Sequence, residues 1–506
     1  MTTQTIRALR QSGNLREAYQ QARALYETDP TNDRNRRELA WVYTDLLKEA
    51  ADEAAPVRLL RGLRLLADFP MGADELRWRG QVLWPVNRYL LRTPADRLPL
   101  RDLAELVALS RLFLDPEPSL VRSVWIKGLL RHSSTGVDWL GILGNGGWDA
   151  FREEDYQPET LPGGNADQSG GTTLSPLVER VCMAVSRQLL QLVPLLEEMV
   201  LPVLDRLRAL AAQYPDWTFL PYYQARLLLA LGRADEAIPA FLPFARRKQR
   251  DFWVWDLLAD LVAAEPRLAI SCYAKALSLS APEPFLVKVR QKLATVLIGQ
   301  NRWAEARTEI DRLVATRRQE GWKIPAEVEQ WLNDDQYTQA VPASADWYGT
   351  ARPAAEALLW TDLPETVVLV TAVDAGQGLV SYAADAYTQG RFRTAQVGSA
   401  AGMALPEVGS SLALRLERDE KDGRPQVRVR TVRPTDQAPA VALRPATGPL
   451  KVAPGGFGFV QDVYVPADLL GSRGLRANQL VSVVGHACYD PKKNNLGWRA
   501  FEISVE

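Results

Sequence analysis

Residues 451–470 of the chain, KVAPGGFGFVQDVYVPADLL, decide how its last part folds. If this stretch forms strands, side chains alternate between the two faces, which puts Phe457 and Phe459 on the same face. A turn at residues 461–462 is followed by a second strand, in which Tyr464 joins the phenylalanines and its flanking valines face the other way. The pattern therefore predicts two strands with an apolar inner face and three aromatic rings outside.

Glycines surround the two phenylalanines, at positions 455, 456 and 458. Glycine weakens a strand and usually marks a bend or a close approach by another backbone or a ligand. Aromatic side chains on such a cleared surface form a platform on which unpaired bases can stack. The alternative is that the aromatic residues and valines are simply strand formers that pack a small core.

Residues 455–460, GGFGFV, and 463–466, VYVP, resemble the two sequence motifs of the cold-shock domain, which read approximately KGFGFI and VFVH. The resemblance covers residues 448–506, from Gly-Pro-Leu-Lys at the start to Gly-Trp-Arg-Ala in the closing strand. It implies a small OB-type barrel, a fold that commonly binds oligonucleotides across its second and third strands and with its last loop.

The chain departs from the cold-shock pattern at three positions. The family usually carries a tryptophan, a basic residue and a histidine where this chain has Val452, Gly455 and Pro466. Two of these changes remove a charged or polar partner for nucleic acid, but the three aromatic residues of the platform are kept. We therefore expect base stacking to be retained and the electrostatic attraction of phosphates to be reduced.

The loop at residues 490–495, DPKKNN, joins the last two strands and carries two lysines that can meet phosphates. The alternative is that these lysines are ordinary solvent-exposed turn residues. Together with the aromatic platform, they complete the set of residues that we predict to bind nucleic acid. This set is Lys451, Phe457, Phe459, Tyr464, Lys492, Lys493 and Trp498.

The composition excludes several classes of protein. A chain of 506 residues is too long for one ordinary domain,. Its 60 basic and 61 acidic side chains nearly balance, which excludes a strongly basic nucleic-acid binder and leaves only local patches,. Three scattered cysteines and two histidines predict neither a metal site nor a cofactor,. The absence of an apolar signal core and of any apolar run of about 18 residues predicts a cytoplasmic protein.

Helices are predicted from the start of the chain to about residue 335, because apolar residues recur at three- and four-residue spacing,. The region divides into N-terminal helical repeats at 1–140, a Gly-rich loop insertion at 141–175 and further repeats at 176–335. The aromatic first half of the insertion is expected to be ordered and its second half flexible. A docking surface for a partner is one function that we consider for it.

The helical repeats resemble tetratricopeptide repeats. Ala237, Ala269 and Ala306 are small anchor residues that lie 32 and 37 residues apart, close to the period of about 34 residues in that family,. The offsets of Ala18 and Ala22 from Gly13 match the same second-helix pattern near the N-terminus. An unspecific α-solenoid is the alternative, because any amphipathic helical hairpin shows part of this pattern.

Strands replace helices in the last third of the chain. Residues 336–363 are predicted to be a linker with one short helix at 354–360, and 364–433 to be an OB-like barrel of five short strands,. Residues 434–447 are rich in Pro and Ala and predict a linker to the final barrel at 448–506. The predicted fold class is thus multidomain, an N-terminal α-solenoid of helical hairpins followed by two small OB-like β-barrels.

The first barrel lacks the aromatic pair but carries arginines that can follow a phosphate backbone. These are Arg391, Arg393, Arg415, Arg428 and Arg430. Ion pairing with Asp and Glu on a solvated face is an equally acceptable interpretation. Its most distinct hairpin has an Asp-Gly turn signal at residues 422–423,.

The motifs of common enzymes are absent from the sequence, including the phosphate-binding loop, HExxH and the GxSxG elbow,. The acidic trio at 153–155 is interpreted as a solvated or docking segment and not as a catalytic group. We therefore predict a non-enzymatic adaptor that binds single-stranded nucleic acid, RNA in preference to DNA, through the last barrel and a protein partner through the helical scaffold. The alternative is a protein assembly or regulatory factor of a bacterial conflict or defence system, with purely structural barrels.

Overall fold

The structure is a computed structural model that describes residues 2–506 with several gaps. The gaps are residues 71–75, 116, 134–135, 145–146, 162–171, 345–346, 398–402, 422–423 and 491–493. The chain divides into two compact units, Met1–Arg233 and Ala234–Glu506. No helix in the described residues is both long and apolar enough to span a membrane.

The first unit is helical. Its helices are α1 Thr3–Gln11, α2 Leu15–Thr28, α3 Asp33–Asp52, α4 Pro56–Ala67, α5 Leu76–Arg92, α6 Leu100–Arg111, α7 Leu120–Arg131, α8 Trp139–Leu143, α9 Leu177–Leu189, α10 Glu197–Gln213 and α11 Leu220–Ala230. Ala18 and Ala22 of α2 are fully buried against α1 and α3, as small anchor residues between packed helices should be. Gly13 ends α1 with φ +83°, a conformation that favours glycine,.

The stretch predicted to be a Gly-rich loop contains regular structure in its described parts. Strands β1 Glu159–Leu161 and β2 Thr172–Leu174 pair antiparallel, and a short 3₁₀ helix covers Glu153–Tyr156. Asp155 of the acidic trio is buried and accepts hydrogen bonds from Ser123 Oγ at 2.6 Å and from the backbone N–H of Arg152 at 3.0 Å. This carboxylate therefore stabilises the turn. The predicted flexible half of the loop lies almost entirely outside the described residues.

The second unit begins with helices α12 Ala234–Arg247, α13 Phe252–Leu261, α14 Pro266–Leu277, α15 Glu283–Gly299, α16 Trp303–Gln319, α17 Ala326–Leu332, α18 Asp335–Gln339 and α19 Tyr348–Leu358. Pairs α13–α14 and α15–α16 pack as hairpins, and the anchors Ala237, Ala269 and Ala306 are buried. The helical N-terminal region is thus confirmed. Its assignment to tetratricopeptide repeats stays a prediction.

Helix α19 lies in the stretch predicted to be a linker. It begins six residues before the expected short helix at 354–360 and packs on α14, where Ala355 N–H donates to Ser271 Oγ at 3.0 Å. Gly349 and Pro353 in the sequence indicate breaks, but burial of Tyr348 and Ala355 outweighs their cost in helix propensity,. Residues of this stretch are therefore part of the packed helical region.

The first sheet of the C-terminal part of the chain follows the helices. Its strands are β3 Glu365–Asp374, β4 Leu379–Ala383, β5 Gln389–Arg393, β6 Ser411–Lys421 and β7 Arg424–Pro434, all antiparallel in the order β5-β4-β3-β6-β7. The edge strands β5 and β7 do not pair with each other through their described residues. Closure of this sheet into a barrel therefore remains a prediction. The predicted Asp-Gly turn between β6 and β7 lies outside the described residues.

The last sheet contains β8 Leu443–Pro449, β9 Lys451–Val452, β10 Gly458–Val460, β11 Val463–Val465, β12 Leu480–Asp490 and β13 Asn495–Val505, with helix α20 Ala467–Arg473 between β11 and β12. The strand order is β8-β12-β13-β11-β10-β9. Because β8 and β9 are separated only by Leu450, the two edges of the sheet are consecutive parts of one bent strand. The sheet curves around an apolar core that includes Val460, Val463 and Val465.

Strand β8 corrects the predicted linker at 434–447. Residues 443–447 pair with β12, and Ala446 is buried in the core of the last sheet. The prolines in this segment suggested a linker, but proline is tolerated in a strand that hydrogen-bonds on one side only. The strand-rich C-terminal module therefore begins before residue 448.

The two β-modules of this unit contact each other through a small apolar cluster. Leu369 and Ala383 of the first sheet pack with Val441 and with Phe501 of the last sheet. His486 lies beside Phe501, with ring centroids 6.3 Å apart, and is buried. Part of the outer surface of the last sheet is therefore covered by the first.

Candidate nucleic-acid interface

A row of four outward side chains crosses the last sheet. Phe459 on β10 pairs with Lys451 on β9 and with Tyr464 on β11, and Tyr464 pairs with Arg499 on the parallel strand β13. Residues that are directly opposite in neighbouring strands point to the same face. The row therefore places two aromatic rings between two cations.

The glycines shape this surface in two ways. Gly456 has φ +81°, a conformation that glycine adopts readily, and this conformation produces the sharp turn before β10,. Gly458 is buried, and a Cβ atom at this position would lie 2.9 Å from the carbonyl oxygen of Lys451. The absence of a Cβ atom at Gly458 thus allows β9 to approach β10 closely enough to align Lys451 with Phe459.

Phe457, Phe459 and Tyr464 form a compact aromatic cluster. The ring centroids are 5.9 Å apart between the two phenylalanines, 5.5 Å from Phe457 to Tyr464 and 5.7 Å from Phe459 to Tyr464. All three are half-buried, so each ring keeps an accessible part. The structure brings together on one face the three aromatic residues that alternation predicted.

Charged groups surround the cluster. The Arg499 guanidinium lies 5.7 Å from the centre of the Tyr464 ring, and Lys451 is exposed at the other end of the row. Arg444 forms an ion pair with Asp462 at 2.9 Å and also lies 5.6 Å from the centre of the Trp498 ring. Cations are therefore available near the rings, while part of the positive charge is already neutralised by a carboxylate.

The cluster borders an open groove with a volume of about 780 Å³. Its other walls come from the ends of β12 and β13, and they include Cys488, Tyr489, Asp490, Asn495 and Trp498. Tyr489 donates a hydrogen bond from its hydroxyl to Asn494 at 2.5 Å. The size is that of a typical ligand site, and aromatic faces and polar groups both line it.

The predicted site residues do not all lie in the row. Trp498 is opposite Val463, and its half-buried ring packs against the core of the last sheet and lines the groove from that side. Lys451 lies in the row, opposite Phe459. Lys492 and Lys493 lie outside the described residues.

Arg499 and Tyr489 are the groove residues that sequence reasoning missed. Arg499 directly follows the predicted Trp498, and strand alternation puts these two side chains on opposite faces. Only the pairing of β11 with β13 decides which of them accompanies Tyr464. For Tyr489 the signal was its position directly before the predicted binding loop at residues 490–495, DPKKNN.

Four of the five arginines predicted to follow a phosphate backbone in the first β-module fall into two groups. Arg415 donates to the carbonyl of Thr361 at 2.7 Å, and Arg430 pairs with Glu417 while lying 4.3 Å from the centre of the Trp360 ring. These two therefore hold the sheet to the preceding segment. Arg391 and Arg393 are exposed, and neither forms an ion pair with any described residue.

Both histidines and two of the three cysteines, Cys182 and Cys272, are buried. His132 is buried with Nε2 2.9 Å from the Leu90 carbonyl, and burial lowers the pKa of His486,. Burial raises the pKa of the Cys182 and Cys272 thiols, which disfavours the reactive thiolate,. Among the described residues, no group of His, Cys, Asp and Glu side chains is arranged to hold a metal ion.

Two parts of the chain are similar to known families. Residues 218–355 match a family model described as a domain of unknown function (DUF7017), and residues 444–503 match the S1/CSD-like domain 2 of the TOTE conflict systems. The second match covers nearly all of β8–β13, and with their strand order it supports the OB-like prediction for this module. No curated protein matches the chain.

Proposed function

We propose that this chain is a non-enzymatic adaptor of a conflict system, which binds single-stranded nucleic acid through its last β-module and a protein partner through its helical region. The observation that carries the proposal is the outward row Lys451, Phe459, Tyr464 and Arg499. Aromatic rings stack on unpaired bases, while flanking cations attract the phosphates between them.

Single strands are favoured over duplexes because stacking needs an accessible base face. RNA is favoured over DNA because the groove has polar groups beside the rings, including the Tyr489 hydroxyl and the Asn495 amide. These groups are able to hydrogen-bond a 2′-hydroxyl, the group that distinguishes the two nucleic acids. The carboxylates Asp462 and Asp490 in the same groove limit the electrostatic attraction, so we expect moderate affinity.

The helical region is proposed to hold the protein partner. Stacked helical hairpins such as α13–α14 and α15–α16 present extended surfaces that are commonly used for binding,. The match to a domain of TOTE conflict systems supports a role beside other components of such a system. The adaptor would then bring nucleic acid to an effector that is encoded elsewhere.

Fluorescence anisotropy with a labelled oligouridylate tests the nucleic-acid part of the proposal. The double substitution Phe457→Ala and Phe459→Ala removes two stacking faces, each worth roughly 1 to 3 kcal/mol. Binding should weaken at least about tenfold. The matched control is Phe285→Ala with Trp322→Ala, two exposed aromatic residues of the helical region, and it should bind like the wild type.

Unchanged affinity in a folded double variant would overturn the stacking proposal. A second candidate, an assembly factor with purely structural barrels, is favoured by the burial of Phe501 against the first β-module and of His486 beside Phe501. It predicts that the purified protein has the ultraviolet absorbance spectrum of clean protein and does not shift labelled oligonucleotides.

A further inference from the structure

The groove of the last β-module continues onto the first. Tyr489, which lines the groove, donates its backbone N–H to the Ala386 carbonyl at 2.8 Å, and its ring lies 5.2 Å from that of Tyr387. The Cys488 thiol, also in the groove, lies 3.7 Å from the Gln389 amide oxygen. The end of the groove is therefore in direct contact with the loop that leads into β5.

Strand β5 carries a basic outer face that begins at this contact. Phe392 is buried in the core of the first sheet, and Gln389, Arg391 and Arg393 alternate with the inward positions and are exposed. Since β5 is an edge strand, its outer side is not hydrogen-bonded to another strand among the described residues. The two arginines follow Gln389 at steps of about 7 Å, the length of two residues in a strand.

These arginines have their charge available. Arg393 donates to the Gln377 amide oxygen at 3.4 Å, a neutral and weak partner, and no described carboxylate lies within ion-pair distance of either arginine. Tyr387, between the groove and the strand, is 70% exposed. A cationic strand with an exposed aromatic residue at its start is complementary to a single-stranded, negatively charged polymer.

We propose that single-stranded nucleic acid bound in the groove crosses Tyr387 and continues along β5, with phosphates at Arg391 and Arg393. This inference rests on the proposed function and assigns a second binding segment to it. The two β-modules then form one binding surface.

The test compares two oligonucleotide lengths on the full-length protein. OB folds contact about 4 to 16 nucleotides, so a labelled oligouridylate of about 4 nucleotides fills the groove alone and one of about 12 reaches β5. The variant is Arg391→Ala with Arg393→Ala. Its matched control is Arg97→Ala with Arg101→Ala, two exposed arginines of the helical region without an ion pair to any described residue.

The β5 variant should bind the short oligonucleotide like the wild type and the long one about threefold to tenfold more weakly, as expected for two exposed charge contacts. The slope of log affinity against log salt for the long oligonucleotide should become less steep by about 1.4, or 0.7 per lost phosphate contact. The control should leave both affinities unchanged.

Three results would overturn the inference. If the β5 variant binds both lengths like the wild type, the strand is not part of the binding surface, although the groove proposal stands. If it weakens both lengths equally, the arginines act on the groove or on folding and not on a separate segment. If the wild type binds neither length, the proposed function itself fails.

Discussion

Both the packing of the strand backbones and the geometry of the candidate interface depend on the absence of a Cβ atom at Gly458. A Cβ atom there would lie 2.9 Å from the Lys451 carbonyl oxygen and 3.0 Å from Cδ1 of Leu450. A leucine side chain can rotate, but a carbonyl in a paired strand cannot move without displacing β9. Gly458→Ala should therefore destabilise the last module by about 1 to 3 kcal/mol, the usual cost of overpacking.

The displacement should also reduce binding, because Lys451 would no longer lie opposite Phe459. Hydrogen exchange measured by mass spectrometry reports the module alone, and we expect faster exchange in the peptides covering β9 to β11. Gly471→Ala is the matched control, since a Cβ atom there meets nothing within 4 Å. Because Gly471 lies in helix α20, its replacement by alanine should stabilise the last module by about 1 kcal/mol,. Gly458→Ala with wild-type exchange and wild-type oligouridylate affinity would refute this reasoning.

Three further predictions concern buried groups and the groove thiol. Glu309→Gln removes the buried one of the two carboxylates that pair with Arg290 and leaves the pair with Glu283, so urea unfolding of the helical region should show a loss of about 1 to 3 kcal/mol,. Burial lowers the pKa of His486, so the unfolded chain binds its proton more readily than the folded chain, and stability should fall as the pH drops below about 6.5,. His486→Phe should flatten that dependence in unfolding curves recorded at several pH values. Iodoacetamide should modify Cys488 before Cys182, and bound oligouridylate should slow the modification of Cys488.

Each of these predictions has a direct contradiction. Wild-type stability of Glu309→Gln would show that the buried pair does not hold α15 to α16. A pH dependence that is equally steep in His486→Phe would assign it to other groups. Modification of Cys488 at the same rate with and without oligouridylate would place the nucleic acid outside the groove.

Local patterns predicted the aromatic face because period-two alternation needs only the residues of one hairpin. The position of Phe457, Phe459 and Tyr464 on one side, and of the valines inside, follows from that period,. The partner of Tyr464 was not predictable in this way. It comes from β13, far along the chain, and a slip of one residue in that pairing exchanges Arg499 for Trp498,.

Segment boundaries were the least predictable part of the fold. Proline and glycine in residues 336–363 and 434–447 indicate loops, yet α19 and β8 form there because tertiary packing buries Ala355 and Ala446. The contact between the β-modules was likewise hidden, because its apolar residues are scattered over four separate segments. Helix and strand propensities describe only the local free energy of a backbone conformation. They do not include the free energy gained when tertiary packing buries apolar side chains.

Photo-crosslinking tests the central claim most directly. The full-length protein is irradiated with a labelled oligouridylate, and the crosslinked peptides are mapped by mass spectrometry. The proposed function predicts adducts within residues 451–464 and at Tyr489, and their loss when Phe457 and Phe459 are replaced by alanine. No adduct, or adducts confined to the helical region, would contradict it.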